Sequence, residues 1–193
     1  MYVLDVDSGA PKEIVPYDGS SHSLGCWTAD GKSVIYRQRA DAGYDLWIVE
    51  IDTLERRPLL VTPPSERNPS MSPDGRWLAY ESDETGRSEV YVATYPELKK
   101  RTRISTDSGF DPCWNGDGTE LFYRCQEGVF AVAFAKDGPV DDAPELVLPD
   151  SGDDLQAFNV TPDGQRFLVM RADRATRQPP DQLITDWPRL LDQ

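Results

Sequence analysis

The sequence predicts an all-β protein, a β-propeller of four-stranded antiparallel blades holding about four blades' worth of chain. Three observations carry this. Four Asp-Gly pairs, Asp30-Gly31, Asp74-Gly75, Asp117-Gly118 and Asp163-Gly164, recur at spacings of 44, 43 and 46 residues, and a period of that size marks a stacked repeat. Each pair is followed by an apolar triplet: Val34-Ile35-Tyr36, Leu78-Ala79-Tyr80, Leu121-Phe122-Tyr123 and Phe167-Leu168-Val169. Successive strand residues point to opposite faces, so three apolar residues in a row require both faces to be buried, as in a blade held between two others. Finally, short strand-like runs alternate with polar turns, and four of them fit in each period, the signature of a propeller blade.

The chain opens in mid-blade, with residues 1–7 matching a third strand and 12–16 a fourth, so 1–17 is a half blade. Full blades follow over about 22–62, 67–106 and 109–149. The second shows the logic most clearly. Residues 68–72 form a first strand that enters the turn Ser72-Pro73-Asp74-Gly75, where Pro fixes φ, Asp caps the turn and Gly accepts a positive φ. Residues 76–81 are the second strand, 82–87 a polar hairpin loop, 89–95 the third strand and 102–106 the fourth. An aromatic column in the third strands (Trp47, Tyr91 and Phe130, with Tyr2 in register) reads as packing between blades, as does the column four residues on (Ile51, Tyr95, Phe134 and Val6). The last partial blade, 155–187, supplies strands at 155–161 and 165–170, a loop over 171–180 and a further strand at 182–187, with 188–191 as a terminal turn or helix. Two closures are open. Tyr2 to Val6 completes the last blade in a four-bladed ring, or 182–187 takes that place and the array stays open with unpaired edges.

Composition excludes some functions. Apolar residues at 38% are enough for a packed core, and 20 basic against 34 acidic residues give a net charge of −14. That charge disfavours nucleic acid, which needs clustered cations to displace counterions, and it disfavours an anionic membrane surface. No apolar run approaches the ~20 residues of a membrane helix, and the first residues do not read as a signal peptide. Three cysteines cannot all pair within one chain. Cys26 and Cys113 stand at equivalent places two repeats apart, beyond the ~7 Å reach of a disulfide, so all three read as buried small hydrophobes.

Catalytic chemistry finds little support. His22 is the one histidine, and there is no Gly-x-Ser-x-Gly elbow. Cys26, four residues along the same strand, lies ~13 Å from it, out of hydrogen-bond reach. Residues 5–9 begin like a calcium loop, but Pro16 stands where the bidentate Glu belongs. Asp141-Asp142 and the 150–154 acidic run fall in loops and read as solvated faces, and the sequon at Asn159 falls on a predicted inner strand. No catalytic residue, metal site or cofactor is therefore expected. The candidate binding residues stand just before each first strand, at a channel mouth: His22, Arg67, Asn68, Asp111 and Gln156. Their chemistry changes from copy to copy while the core columns stay apolar.

The stretches NPSMSPDGRWLAYESDETGRSEVYVATYP, DPCWNGDGTELFYR and VTPDGQRFLVM resemble TolB-like propellers built from WD40-like (PD40) repeats. The resemblance is strongest to those at the C-terminal ends of bacterial transmembrane Ser/Thr kinases. It covers roughly residues 22–187. At the tail, Ile184-Thr185-Asp186-Trp187-Pro188 departs from the Asn-Trp-Phe ending common there. The resemblance implies a ring that is usually six-bladed and a periplasmic or extracytoplasmic setting. It implies a non-catalytic module binding a protein or small ligand; separately, unpaired blade edges in an open array favour self-association. Two other roles fit the same fold: the sensor portion of a receptor kinase, and the cap of a prolyl-oligopeptidase-like hydrolase whose catalytic domain lies elsewhere.

Overall fold

Stacked antiparallel sheets follow one another along the chain in a computed structural model. It describes residues 1–172 apart from 6, 8, 42, 141–142 and 151–154, together with the backbone of 182–184. The N-terminal half blade is the pair β1 (Tyr2–Leu4) and β2 (Pro11–Glu13). Blade one comprises β3 (His22–Trp27), β4 (Ser33–Arg39), β5 (Tyr44–Glu50) and β6 (Arg56–Leu60), paired in chain order. Blade two repeats this with β7 (Glu66–Met71), β8 (Trp77–Ser82), β9 (Glu89–Thr94) and β10 (Arg101–Arg103). Blade three has β11 (Phe110–Trp114), β12 (Glu120–Cys125), β13 (Gly128–Ala135) and β15 (Glu145–Pro149), with a short extra strand β14 (Gly138–Pro139) on the overhanging end of β13. The last sheet is β16 (Leu155–Val160), β17 (Phe167–Arg171) and β18 (Gln182–Ile184). Among the described residues no helix is long and apolar enough to cross a membrane.

The apolar triplets work as their spacing predicts. Val34 and Tyr36 pack back onto Ile14, Val15 and Val3 of the half blade, while Ile35 faces forward onto Leu78 and Tyr80. Ala79 then faces forward into a cluster with Leu121 and Tyr123, and Phe122 faces forward onto Phe167 and Val169. Every residue of β8 is buried, because blade two is covered on both sides. The last triplet differs. Phe167 and Val169 are buried, but Leu168 is 54% exposed, since among the described residues nothing covers its side of the sheet. Tyr2, placed by its register in the aromatic column, is likewise exposed. The cysteines are half-buried rather than buried, and none forms a disulfide.

The turns explain the recurring motif. Asp74 Oδ1 accepts the Ser72 hydroxyl at 2.7 Å and the Arg76 N–H at 3.0 Å, while Gly75 sits at φ 71. Thr28 with Asp30 and Thr161 with Asp163 repeat the hydroxyl-to-carboxylate bond. Accepting these bonds holds the Asp30, Asp117 and Asp163 carboxyls below their ordinary range; Thr28, Thr119 and Thr161 are the main donors. Neighbouring turns also touch. The Gly116 N–H donates to the Pro162 carbonyl at 2.8 Å, and a Cβ on Gly116 would lie 2.6 Å from that of Pro162.

One of the two closures fails. β18 pairs with β17, Ile184 opposite Phe167, so β1 does not take that place; among the described residues β1 pairs with β2 alone and no strand pairing closes the array. Val6 and residues 185–191 lie outside the described residues.

Candidate functional site

Consecutive first strands β3, β7, β11 and β16 are in contact, so they line the inner side of the arc. Each carries a register shift near its start: between Leu24 and Cys26, Arg67 and Ser70, Phe110 and Cys113, and Leu155 and Ala157. These β-bulges revise the expectation that the candidate residues stand just before the first strands. Arg67, Asn68, Asp111 and Gln156 lie within the strands, and His22 opens one. A bulge takes polar residues out of the ladder's alternation, so a strand reads locally as a loop.

At two of the bulges the chain enters the left-handed region, Asn68 at φ 47 and Asp111 at φ 52. Asn and Asp reach that region more readily than other residues with a Cβ. Both stand six residues before the Asp of their Asp-Gly pair, in blades two and three. The excursion turns them toward each other across the blade boundary. Asn68 Nδ2 donates to Asp111 Oδ1 at 3.1 Å and to Glu81 Oε1 at 2.6 Å. The backbone N–H of Asp111, freed from its ladder, donates to the same Glu81 oxygen at 2.7 Å. Ser88 donates to Glu81 Oε2 at 3.3 Å. Arg124 Nε closes one end on Asp111 Oδ2 at 2.5 Å, and Arg37 Nη1 reaches Asn68 Oδ1 at 3.5 Å from blade one. Glu81 is buried at 3% exposure; that burial, with the nearby Asp111 charge adding, raises its pKa against the three donors.

Two of the five predicted residues, Asn68 and Asp111, therefore meet on one rim, and Arg67, next to Asn68 on β7, turns to Asp83, 3.6 Å away. His22 does not join them. It turns toward Asp18, 3.6 Å away, and the edge of Tyr36, lining a separate cleft of about 530 Å³ with Met1, Tyr2, Tyr17 and Leu24. Gln156 is exposed on the last sheet, apart from the network. Sequence reasoning missed Arg37, Arg124 and Glu81, the last of these the end of the second strand expected over 76–81. A signal was present: Arg37, Glu81 and Arg124 each stand six residues after an Asp-Gly glycine, a charged column where the apolar triplet ends.

Among the described residues no group of three or more His, Cys, Asp or Glu side chains is placed to hold a metal ion. The acidic residues at 141–142 and 151–154 lie outside the described residues. Asp150 pairs with Arg171 at 3.3 Å and accepts the Leu155 N–H at 2.7 Å. Burial pushes the Cys26 thiol up to about 12 and raises that of Cys113, so neither favours a thiolate.

No protein-family profile matches the chain. The uncharacterised protein Atu1656 of Agrobacterium fabrum is 33% identical over 94 residues, which is 47% of this chain and 30% of that protein. The crystal structure of TolB from Acinetobacter baumannii superposes with a TM-score of 0.74 at 16% identity, covering 96% of this chain and 48% of TolB. Oligogalacturonate lyase from Vibrio parahaemolyticus gives 0.63 at 13% identity, covering 96% of this chain and 58% of the lyase. The chain thus spans between 30% and 58% of the length of these proteins, and the structural likenesses establish the fold.

Proposed function

We propose, from the TolB-type propeller fold as premise, that this chain is a non-catalytic binding module whose partner docks on the inner rim formed by the bulged first strands. The observation that carries this reading is the network joining Arg37, Asn68, Glu81, Asp111 and Arg124 across three blades. Left-handed backbone in otherwise regular strands is costly and gathers where a protein presents groups to a partner. The rim's chemistry also favours binding over turnover. Its one hydroxyl in the network, on Ser88, donates to a carboxylate already engaged by two other donors, and His22 faces another cleft.

A photo-crosslinking side chain tests this without disturbing the network. Placed at Ser23, half-buried opposite Arg37 in the β3–β4 register, or at Gln156, exposed on β16, it should capture a partner in the producing cells. Placed at Arg57, exposed on the outer strand β6, it should not. Equal capture at all three positions, or none at the rim, would remove the reading.

The open array carries a second consequence. Among the described residues β1 has only β2 as a strand partner, and Leu168 and Met170, 54% and 47% exposed, present apolar surface on the last sheet. Unpaired edges and uncovered sheet faces favour association. Light scattering on this chain at micromolar concentration should give dimers or larger species. A monomer at every concentration would sink this proposal and leave the rim reading intact.

A further inference from the structure

At the blade-one end of the rim, one tyrosine ring gathers three guanidinium groups. The Cζ atoms of Arg37, Arg39 and Arg67 lie 4.9, 5.3 and 5.6 Å from the centre of the Tyr44 ring. Strand geometry places them there. Arg39 is directly opposite Tyr44 in the β4–β5 register, and Arg37, two residues earlier, shares its face. Arg67 arrives from β7 across the blade boundary. Ser65 holds the two blades together at this point, its Oγ accepting the Tyr44 backbone N–H at 3.0 Å and Arg67 Nε at 3.1 Å. The approach is close: a Cβ on Gly43 would lie 2.6 Å from that of Ser65.

Like charges so near one another repel, and this chain has carboxylates to spare, with 34 acidic residues against 20 basic. Arg67 faces Asp83 at 3.6 Å. Arg37 has only the 3.5 Å contact to Asn68 and an enclosed Nε with no hydrogen-bond partner, and Arg39 reaches only the Tyr44 hydroxyl, at 3.4 Å. Among the described residues neither Arg37 nor Arg39 has an acidic side chain within ion-pairing distance. Two adjacent arginines left unneutralised in an acidic protein are a standing site for an external anion.

We infer that the Arg37–Arg39–Arg67 cluster on Tyr44 receives the carboxylates of an acidic peptide segment of a protein partner. The inference rests on the reading of the rim as a binding surface and names the chemistry of what it binds. Planar guanidinium forks match carboxylates in pairs of parallel hydrogen bonds. Three arginines against the single carboxylate of Asp83 suit two singly charged groups spaced along a chain. A uronic-acid sugar would need an open aromatic face to stack on, and guanidinium groups occupy the Tyr44 ring. The net charge of −14 opposes an acidic partner at long range. At physiological salt, however, the Debye length of about 8 Å screens all but the local contact.

The experiment is fluorescence anisotropy with a labelled peptide of alternating glycine and glutamate, its glutamine counterpart, and oligogalacturonate as competitor. The glutamate peptide should bind the wild-type chain, and the glutamine peptide at least about tenfold more weakly. Arg39→Gln, at an exposed position that the fold tolerates, should weaken binding several-fold, and Arg37→Gln/Arg39→Gln should abolish it. Arg57→Gln should leave it unchanged. Equal binding of the two peptides, loss with Arg57→Gln, no effect of Arg39→Gln, or tighter binding of the uronate would each overturn the inference. If the peptide fails while crosslinking from Ser23 and Gln156 persists, this inference falls and the binding-module reading stands. If rim crosslinking is absent, the module reading falls with it.

Discussion

Replacing Phe122 with alanine should lower the stability of the array by about 3–5 kcal/mol, the usual cost of deleting a buried phenyl ring from a core that cannot fully collapse. Phe122 is 2% exposed and meets Phe167 edge to face, the ring centres 5.4 Å apart. It also belongs to the cluster that joins blade three to the last sheet, with Val129, Leu148, Leu155 and Val169. Stability in a repeat array is close to a sum of terms for each unit and each interface, so the loss should appear first where that interface ends. Amide exchange should therefore speed up in β16 and β17 while β8 and β9, buried within the array, stay protected. Denaturant titration gives the total loss. Uniform acceleration across all sheets would show that the blades unfold as one unit and that the interface view is wrong.

Substituting Glu66 with glutamine should change how stability depends on pH. Glu66 is fully buried at the start of β7, and burial, reinforced by the charges of Asp45 and Asp83, pushes its pKa up to about 7 from the ordinary 4.5. The Thr62 hydroxyl, which donates to it at 2.5 Å, and Arg101 oppose the rise without cancelling it. A carboxyl whose folded pKa is raised binds a proton more tightly in the native state than in the unfolded chain. Its effect on stability is therefore constant below about 4.5, worsens as pH rises from there to about 7, and levels off above. The full span corresponds to roughly 3 kcal/mol. Glu66→Gln keeps the shape and stays neutral. It should match the wild type near pH 4 and exceed it by about 2–3 kcal/mol at pH 8. The comparison must be between variant and wild type, because the lowered turn aspartates Asp30, Asp117 and Asp163 act in the opposite direction, losing stability as pH falls. Parallel stability curves for the two proteins across pH 4–8 would show that Glu66 titrates alike in the folded and unfolded chain and that burial does not raise its pKa.

Much of the architecture can be read from local rules. The Asp-Gly pairs mark turns because the backbone there needs a capping carboxylate followed by a residue free to take positive φ, and Gly31, Gly75, Gly118 and Gly164 lie at φ 68, 71, 73 and 72. The triplets mark blades because a strand with two buried faces cannot alternate. The rim was legible only in part. Asn68 and Asp111 stand out as polar residues just before first strands, whereas their partner Glu81 reads only as the last residue of a second strand. Tyr44, flanked by Asp41 and Asp45 near a hairpin loop, gave no sign that it would hold arginines from two blades. The last triplet, Phe167-Leu168-Val169, carries the same pattern as the others and is nevertheless half-exposed, because periodicity reports which faces can be buried and not whether a neighbour is present.

What the sequence alone determined is the repeat, its turns, the both-sided burial of the inner strands and the scarcity of catalytic groups. All of these are encoded within a few residues, by φ preference and by the alternation of side chains along a strand. What only the tertiary structure decided is that β18 rather than β1 pairs with β17, and which charges share the rim. Those contacts join positions tens of residues apart, and they form because stacked sheets bring equivalent strands side by side, a proximity that no local preference in the chain records.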